Sequence, residues 1–130
     1  MGQQQLLLII LGVIVVGIAV AVGITMFQDN AVSANRDAVT NDLVNLASRA
    51  QQYYRRPTAL GGGGNVFTGL TMAKMTSKPT NANGSYVLGT VAATSVPITG
   101  TGIEKGNNGT SSLVMVMTVL SDSTYISVTN

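Results

Sequence analysis

Leu6-Leu7-Leu8-Ile9-Ile10-Leu11-Gly12-Val13-Ile14-Val15-Val16-Gly17-Ile18-Ala19-Val20-Ala21-Val22-Gly23-Ile24 decides how this chain is built. Every residue in the run is Leu, Ile, Val, Ala or Gly, and the first charged side chain beyond it is Asp29. A bilayer's hydrocarbon core takes roughly 20 apolar residues to cross as a helix, and this run is that long. Only five residues precede it, so no domain is expected ahead of it. The remaining sequence is polar and rich in Gly, Ser, Thr and Asn. A head built for water on one greasy helix calls for a membrane, an assembly, or both. Ala19-Val20-Ala21 has the form of a signal-peptide cleavage site. However, no Lys or Arg precedes the run, and it exceeds the about 7–15 residues of a signal peptide's apolar core.

Working outward, the helix is expected to continue. Val32, Val39, Leu43, Leu46, Ala50 and Tyr53 or Tyr54 recur at helical spacing and form one apolar stripe. Asn35, Arg36, Asp37, Asn41, Asp42, Asn45, Arg49 and Gln52 fill the other faces. Pro57 ends the helix, because the residue before a proline is pushed out of the α region. Arg55 and Arg56 favour the negative end of the helix dipole. A helix from Gln3 to Arg55 would be roughly 80 Å long at 1.5 Å per residue. Three segments follow: an apolar assembly or transmembrane helix over 1–28, its amphipathic continuation over 29–56, and a Gly-rich loop with a β head over 57–130.

Gly12, Gly17 and Gly23 each cost about 1 kcal/mol of helix propensity relative to Ala. Membrane helices tolerate glycine, but small residues also permit close helix–helix approach. Gly12, Ala19 and Gly23 fall near one face, and Gly17–Ala21 and Ala19–Gly23 are small-xxx-small pairs.

Gly61-Gly62-Gly63-Gly64 lacks the Gly-Lys-Ser/Thr ending of a phosphate-binding loop and reads as a flexible connector. Strand-like stretches follow at Val66–Met72, Tyr86–Val91, Val96–Glu104, Leu113–Leu120 and Tyr125–Val128, separated by Asn/Gly/Ser turn clusters. Leu113–Leu120, apolar on both faces, is the expected central strand. Pro97 assigns its own stretch to an edge. The expected fold class is α+β: a long N-terminal helix whose apolar half protrudes, with a small antiparallel sheet of about four strands packed on its upper half.

The 130 residues include 45% hydrophobic but only 9% charged side chains, against ~25% in an average soluble domain. The net charge of +2 and the scatter of the seven Lys and Arg along the chain do not point to nucleic acid. With no Cys and no His, disulfides, thiolate or imidazole metal sites and the usual nucleophile–base pairs are excluded. No catalytic, cofactor-binding or metal-ligating residue is assigned, and no enzyme activity is expected. Asn83-Gly84-Ser85 and Asn108-Gly109-Thr110 fit the N-glycosylation acceptor pattern, which makes Asn83 and Asn108 candidate modification sites.

Met1-Gly2-Gln3-Gln4-Gln5-Leu6-Leu7-Leu8-Ile9-Ile10, the unbroken apolar helix, then Asn35-Arg36-Asp37-Ala38, Asn41-Asp42-Leu43 and Ala50-Gln51-Gln52-Tyr53-Tyr54 leading to a Gly-rich loop and strands together resemble a type IV pilin or pseudopilin. The likeness is detailed in the N-terminal half and architectural in the rest. It implies a leader removed by a prepilin peptidase and a precursor held in the inner (cytoplasmic) membrane. An assembly ATPase and a platform protein then build a cell-surface, extracellular filament of many copies of the chain, which serves as a fimbrium and in adhesion. It also implies assembly roles for Met1, Gln5, Leu6, Gly12, Gly17 and Gly23. Family members carry Glu at the fifth mature position; with Met1 as the mature first residue, Gln5 takes that place and brings no charge. The mid-helix Pro and the C-terminal disulfide loop are also missing. The expected function is therefore structural, as the major subunit of a pilus-like helical filament with no cofactor. The alternatives are a pseudopilin of a type II secretion or DNA-uptake system, or a single-pass membrane-anchored binding module.

Overall fold

A computed structural model describes residues 2–130. Helix α1 spans Gly2–Arg55, β1 Gly84–Leu88, β2 Ser95–Lys105, β3 Ser112–Leu120 and β4 Thr124–Val128, with a short helix α2 at Met72–Met75. The chain divides into two compact units, residues 1–33 and Ala34–Asn130. The first unit's described residues are all helix, and from Leu6 to Phe27 the large apolar side chains are exposed. The second is the α+β head.

The head is a four-stranded antiparallel meander in the order β1-β2-β3-β4, packed on the 34–55 part of α1. The apolar stripe read from the sequence faces the sheet: Val39, Leu43, Leu46, Ala50 and Tyr53 are buried, and Ala47 joins them. From the other side come Val96 and Ile98 of β2 and Leu113, Met115, Met117 and Val119 of β3. Strand β3 alternates buried and half-buried residues, as an interior strand beneath a helix does.

Four expectations are corrected. Val66–Met72 forms no strand. Leu70 N–H turns back to Phe67 O, Gly69 takes φ +84°, and α2 begins at Met72. This segment instead plugs the core with Phe67, Leu70 and Met75. The expected Tyr86–Val91 strand starts earlier, at Gly84, and ends at Leu88. Pro97 lies in β2, an interior strand, not at an edge. Its carbonyl accepts from Gly89 N–H, so its missing N–H points toward β1, which has already ended at Leu88. No ladder bond is lost on the β3 side, where Pro97 pairs with Thr118. Finally, the four glycines after Pro57 do not form a loose connector. The N–H groups of Gly63, Gly64 and Asn65 donate to the carbonyls of Tyr53, Arg56 and Tyr54, satisfying the orphan acceptors of the helix end.

Asn35, assigned from the sequence to a polar face, is buried. Its Nδ2 donates to Asn83 O at 2.8 Å, and its Oδ1 accepts from Glu104 N–H at 3.3 Å. One amide thus ties the loop before β1 and the end of β2 to the helix. The approach requires Gly102 opposite, since a Cβ there would collide with the Asn35 carboxamide. Replacing Asn35 with Ala is expected to cost about 1–3 kcal/mol, because Asn83 O and Glu104 N–H lose a partner where water has little access. A urea titration followed by far-UV circular dichroism measures this.

Candidate functional site

The apolar helix that opens the resemblance lies on the first unit, and its Asn35–Tyr54 part lies on the second. From Leu6 to Ile24 the large apolar side chains are half or more exposed, and the most apolar 18-residue window of α1 has mean hydropathy 3.2 with none of it buried. This helix is long and apolar enough to cross a membrane. Thr25, at its end, returns its hydroxyl to Ala21 O at 3.0 Å, so it presents no unsatisfied donor to an apolar environment.

Gln5, Leu6, Gly12, Gly17 and Gly23 all lie on this helix, whereas Met1 lies outside the described residues. At 3.6 residues per turn, Gln5, Gly12, Ala19 and Gly23 fall within about 40° of one another, and the Gly17–Ala21 pair lies about 160° away. A Cβ added at Gly12, Gly17 or Gly23 would meet no atom within 4 Å. Among the described residues, no contact therefore requires glycine at these positions.

In the head, Asp42 is a hub the sequence did not disclose. Its Oδ2 accepts from Tyr86 Oη at 2.6 Å and from the Nδ2 atoms of Asn81 and Asn83 at 2.9 Å each. Strand β1 and the turn before it are thereby clamped to α1. Asn81 Oδ1 in turn accepts from Asn83 N–H and Gly84 N–H, an Asx turn that presents both amides to the helix. The only local hint was the Asn81-Ala82-Asn83-Gly84 turn; its partner lies about forty residues upstream.

Burial pushes the Asp42 carboxyl up, but the hydrogen bonds from Asn83, Tyr86 and Asn81 outweigh it and hold the group below the usual carboxylate value. Burial, then the hydrogen bond to Asp42 and its charge, push the Tyr86 phenol well above its ordinary value. The stability from Asp42 is present above the unfolded value of about 3.9 and is lost as pH falls from there toward the depressed folded value. The stability from neutral Tyr86 is present below about pH 10 and is lost as pH rises beyond it. Urea midpoints of the full chain in micelles should therefore drop on both limbs. Asp42→Asn is expected to flatten the acid limb, and Tyr86→Phe the alkaline one.

The candidate modification sites differ in setting. Asn83 is half-buried, and the nitrogen that would carry a sugar donates to Asp42. Asn108 is exposed in the β2–β3 turn, where its Oδ1 accepts from Thr110 and Ser111 N–H at 2.9 Å.

No protein-family model, curated protein or solved structure matches this chain. A long N-terminal apolar helix joined to a small antiparallel sheet is compatible with a pilin-like architecture. It defines the class that the geometry supports: a membrane-capable helix carrying an α+β head.

Proposed function

We propose that this chain is the structural subunit of a pilus-like helical filament, held in the membrane by its apolar helix before assembly. The single observation behind this reading is the exposed apolar run on α1, which shares its helix with the head's core. Leaving lipid obliges such a subunit to rebury the 14 Leu, Ile and Val side chains of the run, each worth roughly 1.5–3 kcal/mol. Packing against the same run of neighbouring copies does this without lipid. Heterologous, non-closing contacts between identical subunits then give a helical filament.

The glycines support the same reading. Gly12, Gly17 and Gly23 each cost helix propensity, and none is needed by a contact among the described residues. Close approach by another helix accounts for them. Gln5 would sit where the family keeps an acid, giving a neutral amide contact in place of a charged one. The partners in this account are copies of the chain, the membrane and the processing and assembly machinery that the resemblance implies.

Filaments sheared from the cell surface and imaged by electron microscopy test the proposal: they should contain this chain at high copy. Recovery of the chain only as dispersed membrane monomer would overturn it. Replacing Gly12 with Leu gives a sharper test. The change improves the isolated helix by about 1 kcal/mol, yet it should lower the polymerised fraction, because the added side chain holds neighbouring helices apart.

A further inference from the structure

We infer that the head carries a binding site for a phosphate-class oxyanion, in the hollow between the last turns of α1 and helix α2. This goes beyond assembly and does not depend on it.

The seven cations look scattered along the sequence, but the fold gathers several. Arg49, Arg56 and Lys74 line one hollow of about 330 Å³ together with Gln52 and Tyr53, and no carboxylate is among its described lining residues. Arg49 also faces the adjoining hollow, which adds Lys78 and Asp42. The Oδ2 of Asp42 is engaged by three neutral donors.

Two of the three cations are positioned by neutral groups. Arg49 Nη1 donates to Met75 O at 2.5 Å, and Lys74 Nζ donates to Gly69 O at 3.0 Å while standing 4.9 Å from the centre of the Tyr53 ring. These contacts orient the charges without neutralising them. A guanidinium has five donors, so Arg49 keeps others for a ligand.

Cations near a helix C-terminus often serve to cap its carbonyls. Here that role is already filled, because Gly63, Gly64 and Asn65 N–H take the carbonyls of Tyr53, Arg56 and Tyr54. Arg56 is therefore not consumed by the helix end. Three like charges around one hollow repel one another, and an entering oxyanion relieves that repulsion. The planar Arg fork engages two oxygens of a phosphate at once, and Lys adds a point charge. Tyr53 is buried, covered by Lys74, and donates its hydroxyl to Thr68 O, so the hollow offers no open ring on which a base could stack.

The test titrates the full chain, in detergent micelles and phosphate-free buffer, with inorganic phosphate, glucose 1-phosphate and glucose, while the arginine side-chain N–H resonances are followed. Saturable shifts at Arg49 and Arg56 with both phosphates, and none with glucose, are expected. Tighter binding of glucose 1-phosphate would mark the carried phosphate as the natural source, and equal binding the free anion; both support the site. Arg56→Gln and Lys74→Gln are each expected to weaken binding about tenfold, the loss of one charge-assisted hydrogen bond. Lys105→Gln, outside the hollow, should leave it unchanged. Both side chains replaced in the hollow are exposed, so the fold should survive their loss. Linear, non-saturating shifts, or equal weakening by Lys105→Gln, would overturn the inference. Filament assembly is not read, so failure here leaves the assembly proposal standing.

Discussion

Replacing Val13 with Arg is expected to abolish filament formation while leaving the head folded. Val13 is exposed on the apolar run and is not one of the residues of the head's core cluster. In a bilayer one arginine costs about 2.5–3.5 kcal/mol at the helix centre, and neighbouring apolar residues can offset that. In a filament core the same charge repeats in every copy, desolvated and beside its own kind, where burial of an unpaired charge is far more costly. Electron microscopy should show no filaments, and circular dichroism of the dispersed subunit should show the wild-type head. Normal filaments from this variant would mean that the apolar run does not pack in a core.

The second large effect concerns the head itself. Phe67→Ala is expected to destabilise it by about 3–5 kcal/mol, the range for emptying a fully buried aromatic site. Phe67 is wholly buried, with its ring 4.8 Å from that of Tyr54 between centroids and tilted 42° to it. It anchors the long segment between α1 and β1, which has little secondary structure of its own. Marginal domains hold only about 5–15 kcal/mol in total, so the variant should lose much of its resistance to urea. A midpoint within experimental error of wild type would show that the 57–83 segment is dispensable to the core.

Hydrophobic periodicity made the main elements legible. The Leu6–Ile24 run, the stripe from Val39 to Tyr53, the stop before Pro57 and the doubly apolar Leu113–Leu120 strand each depend on local pattern alone. What the pattern concealed depends on partners distant in sequence. Pro97 is tolerated inside the sheet because β1 stops one residue short of needing its N–H. Asn35 is buried because Asn83 and Glu104 come to meet it. Val66–Met72 has strand-like composition, yet Gly69 turns it and the core takes its Phe and Leu as plugs. The glycine run resembles a linker until the helix carbonyls it satisfies are counted. The Asp42 hub and the cation-lined hollow are tertiary features with no contiguous motif. By contrast, the assembly roles proposed for Gln5, Leu6, Gly12, Gly17 and Gly23 rest on the local pattern of α1 alone.

In the proposed filament the apolar run of α1 lies against the same run of other copies. The chain has no cysteine, so Val13→Cys allows one nitroxide label per subunit. Electron paramagnetic resonance of detergent-free assemblies, compared with assemblies diluted by unlabelled subunits, measures the proximity of labels between copies. Strong dipolar broadening that disappears on dilution is expected. A spectrum unchanged by dilution, with the label relaxed by lipid-soluble oxygen as in a monomer, would contradict it and leave α1 as a membrane anchor alone.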